Sequence, residues 1–285
     1  MCGIVGYLGK NNALPVLVDG LRRLEYRGYD SSGIALMNGD KTVFSVKSVG
    51  RIKNLEDKLN ENRNNQTGNL GIAHTRWATH GKPTEANAHP HTDCHNKIWL
   101  VHNGIIENYK ELKSRLEASG HIFKSETDTE VIAHLIEEEY QGNLTETLVK
   151  ILPILKGTYG LVLYHTDEPN KILAARCGSP LVIGLAENQT IIASDVSAIV
   201  SHTRQIIYLD DGEVAEINGN GLKIINLNNQ EINKKIDQID WDIAECEKKG
   251  YPHFMLKEIF EQPETIKDSL RGRIILEEGK VKLGG

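Results

Sequence analysis

Residues 2–9 read CGIVGYLG, an apolar run with interspersed glycines that begins with a cysteine directly behind Met1. Such a run predicts a strand. Removal of Met1 is expected because the next side chain is small, and Cys2 would then carry both a thiol and a free α-amine. An amine with a reference pKa near ~8 accepts a thiol proton at neutral pH, so this position predicts a nucleophile with its own base. A buried strand cysteine without chemistry is the alternative.

The composition of the 285 residues is that of a globular protein, with 39% hydrophobic and 25% charged residues. A net charge of -6 argues against nucleic acid or a membrane surface as a partner, since both require a basic patch. The sequence shows neither a signal peptide nor a membrane-spanning stretch, which predicts a cytoplasmic protein. The four cysteines lack paired spacing and are predicted to be free thiols: Cys2, Cys94, Cys177 and Cys246.

Strand patterns fill most of the first hundred residues and return between about residues 159 and 226, with helical patterns between them. A hairpin is predicted over residues 35–44, ALMNGDKTVF, because turn residues separate two apolar runs. Helices are predicted in ENYKELKSRLEASG, TDTEVIAHLIEEEY and LTETLVKILPIL. This order predicts an α+β domain in which two largely antiparallel sheets pack together with helices outside.

The last part of the chain has a different character. We predict that the first domain covers residues 1–228 and that residues 229–285 form a linker. Within the linker, residues 253–274 predict an amphipathic helix that Pro263 interrupts. Its apolar positions form a stripe that predicts an interface: Phe254, Met255, Ile259, Phe260 and Ile266.

Four segments put polar residues and glycines where apolar strands end, which is where sites are usually built. They are LEYRGYDSSG (24–33), GIAHTRWATHGKPTEANAHPH (71–91), LVHNGIIENY (100–109) and SETDTEVIAH (125–134). Together with Cys2 and KEIFEQP (257–263), they resemble the motifs of the class II glutamine amidotransferases, whose nucleophile is an N-terminal cysteine. Within that family the chain is most similar to the enzymes that make glucosamine 6-phosphate from fructose 6-phosphate and glutamine.

The resemblance implies a fold and an activity. The fold would be the four-layer αββα sandwich of the N-terminal nucleophile (Ntn) hydrolases. The thiol would attack the side-chain amide of L-glutamine, ammonia would leave, and water would hydrolyse the thioester, with no cofactor. Fructose 6-phosphate would bind only to two sugar-isomerase domains that are missing from this chain, and the full-length enzyme would be a homodimer.

The resemblance also assigns four residues to the reaction. Asn103 and Gly104 match an oxyanion hole, whose donors are typically worth ~3 kcal/mol each. Arg76 matches the arginine that binds the α-carboxylate of glutamine, and Asp128 matches the carboxylate that holds its α-ammonium. Taken singly, these residues also fit an ordinary turn, a surface arginine and an acid at a helix N-terminus.

Further residues are assigned to the surroundings of the reaction. Trp77, Thr79 and His80 fall in the segment that closes over glutamine in this family. Arg27 and Asp30 match groups that support the nucleophile. The alternatives are a core tryptophan and an internal ion pair in a turn.

The segment 89–95, HPHTDCH, crowds possible metal ligands into one loop. Its spacing fits no common zinc pattern and the family needs no metal, so the sequence predicts that no metal is bound. The histidines outside the motifs, such as His121 and His165, are predicted to be structural or solvent-exposed.

Three other functions fit part of the sequence. A purine-pathway phosphoribosyl amidotransferase shares the class, although HTRWATHG, VHNGIIENY and KEIFEQP fit it less well. An N-terminal cysteine hydrolase of the bile-salt or penicillin type would leave Arg76 and Asp128 unexplained. A non-catalytic regulatory module of the same fold would not need the intact set of motifs.

Overall fold

The computed structural model describes residues 2–61, 66–78, 81–239, 251–270, 274–275 and 280–281. The chain divides into two compact units, Met1–Asp240 and Trp241–Gly285. The first unit thus extends past the boundary predicted after residue 228, because the short strand Asp237–Gln238 still pairs within its larger sheet. In the part of the chain that is described, no helix has the length and apolarity needed to span a membrane.

The strands of the first unit lie mostly between residues 3 and 226. They are β1 (Gly3–Gly9), β2 (Ser31–Met37), β3 (Val43–Val49), β4 (Leu70–Arg76), β5 (His91–Thr92), β6 (Ile98–Ile106), β7 (Gly157–His165), β8 (Lys171–Cys177), β9 (Val182–Ala186), β10 (Gln189–Ala193), β11 (Gln205–Tyr208), β12 (Glu213–Asn218), β13 (Gly221–Asn226) and β14 (Asp237–Gln238).

The helices of this unit flank the sheets. They are α1 (Leu14–Leu24), α2 (Ile52–Glu61), α3 (Tyr109–Ala118), α4 (Glu130–Glu139) and α5 (Leu144–Ile151), with short 3-10 turns at Glu25–Arg27, Leu152–Ile154 and Val196–Ala198. The second unit contains α6 (Phe254–Leu270), β15 (Ile274–Ile275) and β16 (Lys280–Val281).

The strands of the first unit form two antiparallel sheets. The eight-stranded sheet has the order β14-β11-β9-β10-β1-β4-β2-β3, and the six-stranded sheet has the order β13-β12-β8-β7-β6-β5. Their inner faces pack on each other through a shared apolar core that includes Ile4, Ile72, Val101 and Val162. The central strand β1 is buried on both faces because its alternate side chains point to the other sheet and to a helix.

Helices cover the outer face of each sheet. Helix α1 packs on β1 so closely that a Cβ at Gly20 would lie 2.8 Å from Val5, whose neighbour Ile4 faces the inner core. On the other side, α3, α4 and α5 pack on the six-stranded sheet through a second core that includes Leu116 and Leu148. The layers run helix, sheet, sheet, helix, which confirms the predicted αββα sandwich.

The local predictions are largely confirmed. The 35–44 hairpin forms, with Met37 paired to Val43, and α3, α4 and α5 lie in the three predicted helical stretches. The interruption predicted at Pro263 is wrong, since α6 continues through that residue. Helix α1 was not predicted, although a proline in its first turn marks its start.

The second unit carries the apolar stripe predicted in the linker. Met255, Ile259, Phe260 and Ile266 are each more than half exposed, while the Phe254 side chain lies outside the described residues. The interface predicted from this stripe stays a prediction.

Candidate active site

Strand pairing brings Cys2 to the end of a distant strand. Gly3 at the start of β1 pairs with Thr75 near the end of β4. The Trp77 backbone N–H therefore donates to the Cys2 Sγ at 3.2 Å, and the thiol faces the Trp77 carbonyl oxygen at 3.5 Å. Burial raises the pKa of the Cys2 thiol, although the hydrogen bond from Trp77 opposes this shift. The thiol is therefore protonated at neutral pH and needs a base.

Asn103 lies on β6, and its side-chain amide joins Cys2 to a buried histidine. Its Nδ2 donates to the Cys2 carbonyl oxygen at 3.0 Å, and its Oδ1 lies 3.0 Å from the Nε2 of His74. The same Nε2 lies 3.2 Å from the His102 carbonyl oxygen, which is also an acceptor. His74 must therefore carry its proton on Nε2, and this proton fixes the amide of Asn103 with Nδ2 toward Cys2.

Gly104 follows Asn103 in a conformation that favours glycine. Its φ is +132°, and a Cβ would lie 2.1 Å from the Thr158 carbonyl oxygen. The absence of a side chain lets the β6 backbone approach β7 while Gly104 also lines the cavity beside Cys2. The geometry thus requires a glycine at this site for reasons of backbone and space together.

Arg76 and Asp128 line the same small cavity as Cys2 and Gly104. Arg76 is only 4% exposed, and its guanidinium donates to the carbonyl oxygens of Gly81 at 3.2 Å and Lys82 at 3.4 Å. Asp128 is 5% exposed and accepts from the Ile106 N–H at 2.8 Å. A cation and an anion that line one small cavity are complementary to the carboxylate and ammonium groups of a free amino acid.

Trp77 occupies the surface at this cavity and is not a core residue. Its side chain is 47% exposed and meets the Tyr29 ring edge to face, with the centroids 5.8 Å apart. This position suits a side chain that covers a bound molecule. Thr79 and His80, which the sequence analysis assigned to the same closing segment, lie outside the described residues.

Arg27 and Asp30 contact different parts of the chain. Asp30 accepts from the Ala78 N–H at 2.8 Å and donates its own N–H to the Arg76 carbonyl oxygen at 3.0 Å. Arg27 makes an ion pair with Asp195 at 2.9 Å. Asp30 therefore fastens the segment that follows β4, whereas Arg27 ties the turn before β2 to a residue far along the chain.

The site also contains a cluster of buried histidines that was not predicted from the sequence. His74 stacks on His89 at 4.1 Å, His91 meets His89 edge to face, and the His102 backbone N–H donates to the His89 Nδ1. Burial lowers the pKa of all four, to about 3 for His74, so they are neutral at pH 7. The available signal was a histidine beside a functional residue in AHTR and in VHNG.

The cluster is connected to the segment that bears Asp128. The Nδ1 of His102 lies 2.9 Å from the Thr129 hydroxyl, and the Nε2 of His91 lies 3.1 Å from the Thr127 hydroxyl. Neutral rings at hydrogen-bond distance from these hydroxyls hold the start of α4 beside β6. The histidines therefore position the groups that line the cavity.

Residues 56–242 match the glutamine amidotransferase domain. The matched residues include Arg76, Asn103, Gly104 and Asp128. The chain belongs to the glutamine amidotransferase family. Cys2 precedes the matched region, and its place beside Trp77 connects it to the amidotransferase motifs.

Curated relatives of this amidotransferase are about half identical to it. The proteins named glutamine–fructose-6-phosphate aminotransferase [isomerizing] are 50% identical over 275 residues in Clostridium acetobutylicum and over 284 residues in Thermus thermophilus. These alignments cover 96% and 100% of this chain, but 45% and 46% of the relatives. The chain thus spans about half the length of the curated relatives that it matches.

Solved structures agree on the fold. The glutamine phosphoribosylpyrophosphate amidotransferase of B. subtilis, in complex with ADP and GMP, superposes with a TM-score of 0.67 at 29% identity, covering 79% of this chain and 49% of that one. A glutamine aminotransferase class-II domain protein of Silicibacter pomeroyi has a TM-score of 0.52 at 14% identity, covering 79% and 99%. The second likeness concerns the fold alone.

Proposed function

We propose that this amidotransferase chain hydrolyses the side-chain amide of L-glutamine through a thioester on Cys2. The observation that carries the proposal is the shared cavity, which Cys2, Arg76, Gly104 and Asp128 all line. One group can react there, one oxygen can be stabilised, and both charges of a free amino acid can be bound. Family membership supports the choice of glutamine as that amino acid.

The first step needs a base because burial raises the pKa of the Cys2 thiol. His74 is a poor base, since its Nε2 already carries the proton that Asn103 accepts and burial lowers its pKa to about 3. The α-amine of Cys2, free once Met1 is removed, has a reference pKa near ~8 and belongs to the same residue. We therefore propose that this amine takes the thiol proton.

The thiolate then attacks the amide carbon, and negative charge develops on the amide oxygen. The Asn103 Nδ2 and the Gly104 backbone N–H are proposed to stabilise that oxygen, at a typical value of about 3 kcal/mol per donor. Proton transfer from the ammonium of Cys2 to the leaving nitrogen releases ammonia and leaves the thioester. Water then attacks the thioester carbon, which yields glutamate and restores the thiol.

The other end of glutamine provides the selectivity. Arg76 is proposed to bind the α-carboxylate and Asp128 the α-ammonium, while Trp77 covers the bound substrate. The closing segment proposed for Thr79 and His80, and the supporting roles of Arg27 and Asp30, complete the assignment. An amide without both charged groups would not form these two ionic contacts and would bind less tightly.

The ammonia is proposed to serve the amination of fructose 6-phosphate to glucosamine 6-phosphate. Support comes from the names of relatives that are 50% identical, compared with 29% for the phosphoribosylpyrophosphate amidotransferase. In this proposal Met1–Asp240 is the glutaminase domain and residues 241–285 lead to the sugar-isomerase domains of the longer relatives. The homodimeric full-length enzyme and the cytoplasmic location stay predictions.

The test is the release of glutamate and ammonia from L-glutamine by the purified chain. We expect activity with L-glutamine, none with D-glutamine, and none in a preparation whose intact mass shows retained Met1. An electrophilic glutamine analogue should label Cys2 and leave Cys94, Cys177 and Cys246 unmodified. Labelling at another cysteine, or full activity with Met1 attached, would refute the mechanism.

The sugar step has a separate test. The isolated chain should release ammonia without forming an aminated sugar, and fructose 6-phosphate should leave its glutaminase rate unchanged. The reason is that coupling between two ligands requires both sites. Stimulation by the sugar would show that this chain binds it and would contradict the proposal.

A further inference from the structure

A second thiol lies outside the active site, among groups that ligate metals. Cys94 follows β5, His121 follows α3, and His134 and Glu137 lie on α4. One ligand atom from each of these four residues lies within 4.8 Å of the others. We refer to Cys94, His121, His134 and Glu137 as the Cys94 cluster.

The sequence gives little sign of this cluster. Cys94 and His121 are 27 residues apart, and His134 lies 40 residues from Cys94. Only His134 and Glu137 have a local relation, since positions i and i+3 lie on the same face of a helix. The 89–95 loop supplies only one of the four groups, so its own residue spacing does not predict a metal site.

The distances from the Cys94 sulfur to the two histidine nitrogens fit the tetrahedral coordination of a metal ion. The Cys94 Sγ lies 3.6 Å from the His134 Nδ1 and 3.8 Å from the His121 Nδ1. With Zn–S near ~2.3 Å and Zn–N near ~2.0 Å, the edge between sulfur and nitrogen in a tetrahedron is about 3.5 Å. Both distances are thus close to those of a zinc site.

The carboxylate completes the set. The Glu137 Oε2 lies 2.8 Å from the His121 Nδ1 and 3.0 Å from the His134 Nδ1. In a tetrahedral site this edge is about 3.3 Å, so the carboxylate needs to move by only a few tenths of an ångström. Both ring nitrogens lie at hydrogen-bond distance from one oxygen, so a cation bound here would take the place of the Nδ1 protons.

The groups around the cluster suit bound metal. The Ile122 N–H donates to the Cys94 Sγ at 3.4 Å, and the His95 ring donates to the second oxygen of Glu137 at 2.6 Å. The Nε2 of buried His134 faces the Glu130 carboxylate at 3.5 Å, so a ring bound to metal through Nδ1 can direct its other N–H to Glu130. A carboxylate behind a ligating histidine is the usual second shell of a zinc site.

We propose that the Cys94 cluster binds one divalent transition-metal ion of the zinc class. Thiolate, imidazole and carboxylate ligands select such an ion over magnesium or calcium. Four protein ligands leave no open position, so the site is structural and joins the β5–β6 turn and the end of α3 to α4. On binding, the thiol proton and the Nδ1 protons of both histidines leave to solvent, and each ring keeps or takes up one proton on Nε2. The proposal is independent of the glutaminase proposal.

Cobalt provides the test because it reports its ligands. The purified full chain, stripped with a chelator, should bind one equivalent of Co²⁺ with a thiolate charge-transfer band and the strong visible bands of tetrahedral cobalt. Zn²⁺ should displace it. Cys94→Ser and Glu137→Gln should weaken binding at least about a hundredfold, whereas the matched control Cys177→Ser and the active-site variant Cys2→Ser should bind as the unchanged chain does.

A second readout covers variants that fold poorly. His121→Gln changes a residue outside the helices and strands and should also lose the cobalt bands while keeping the circular dichroism of the unchanged chain. One equivalent of Zn²⁺ should raise the Tm of the unchanged chain by several degrees and leave that of His121→Gln unaltered. Absence of saturable binding, or full cobalt bands in Cys94→Ser or His121→Gln, would overturn the proposal.

Discussion

Cys2 and Cys94 both lie among histidines, and segment 89–95 contributes to the surroundings of each. His89 and His91 point toward the active site, where the histidines meet hydroxyls and a carbonyl oxygen. Cys94 lies on the other side, where the histidines meet a carboxylate. Both regions contain a cysteine and several histidines. The groups that the histidines contact therefore determine whether the region positions a substrate site or can bind a cation.

The protonation of the two regions differs accordingly. In the active site, burial lowers the pKa of His74 to about 3, and His102 is shifted in the same direction. In the Cys94 cluster, burial opposes protonation of His134, but its hydrogen bonds to Glu130 and Glu137 raise its pKa. Burial likewise opposes ionisation of Glu137, yet the hydrogen bonds from His134, His95 and His121 lower its pKa to about 2.

Removal of the Cys2 thiol should produce the largest effect and separate the two cysteines. Cys2→Ala is expected to lower glutamate release at least about a thousandfold, because no other group forms the thioester. The same variant should keep the cobalt bands of the Cys94 cluster. Cys177→Ser is the matched control with unchanged glutaminase activity. Near-normal turnover of Cys2→Ala would assign the nucleophile to another residue.

Asn103→Ala tests whether the side-chain amide that His74 orients stabilises the transition state. Since an oxyanion donor acts in the transition state, kcat should fall about 100- to 1000-fold with little change in KM. Glutamate release at varied glutamine concentrations gives both constants. Asn38→Ala, in the 35–44 hairpin turn, is the control. A raised KM with preserved kcat would assign Asn103 to substrate binding.

Arg76→Lys and Asp128→Asn test the two opposite charges that line the active-site cavity. Each should raise the KM for glutamine about 10- to 100-fold and lower kcat less, because both groups bind the non-reacting end. Arg22→Lys, at an exposed arginine paired with Glu56, is the matched control. A large loss of kcat at unchanged KM would contradict the assignment.

Mild acid should destabilise the chain through the active-site histidines. A histidine whose pKa is lowered on folding binds more protons in the unfolded state, so its contribution to stability is present above pH 6.5 and is lost as pH falls. His74, shifted to about 3, costs about 1 kcal/mol between pH 7 and pH 5.5. The raised pKa of His134 has the opposite sign and offsets part of this loss.

Urea unfolding at the two pH values, with a chelator present, checks this expectation. Glu130 and Glu137, whose pKa values are lowered to about 2, contribute little to the change in stability between pH 7 and pH 5.5. The reason is that the pKa of an unfolded glutamate, about 4.3, also lies below pH 5.5. His89, His91 and His102 shift in the same direction as His74. Equal or higher stability at pH 5.5 would mean that the buried rings are not neutral.

Many of the secondary-structure elements can be predicted from local sequence patterns, and the motifs point to the proposed chemistry. The 35–44 hairpin, three of the helices and the strand after Cys2 follow from local patterns of apolar and turn residues. Cys2, Arg76, Asn103 and Asp128 stand in motifs that are short enough to read directly. Such features depend on neighbours within a few positions, so they are visible without the fold.

The contacts between distant side chains are visible only in the folded chain. Arg27 pairs with Asp195, 168 residues away, and the His74 ring orients the Asn103 amide across two sheets. The Cys94 cluster gathers ligands from two loops and one helix. These contacts arise where strand pairing and helix packing bring separate segments together, and no local pattern of residues records that geometry.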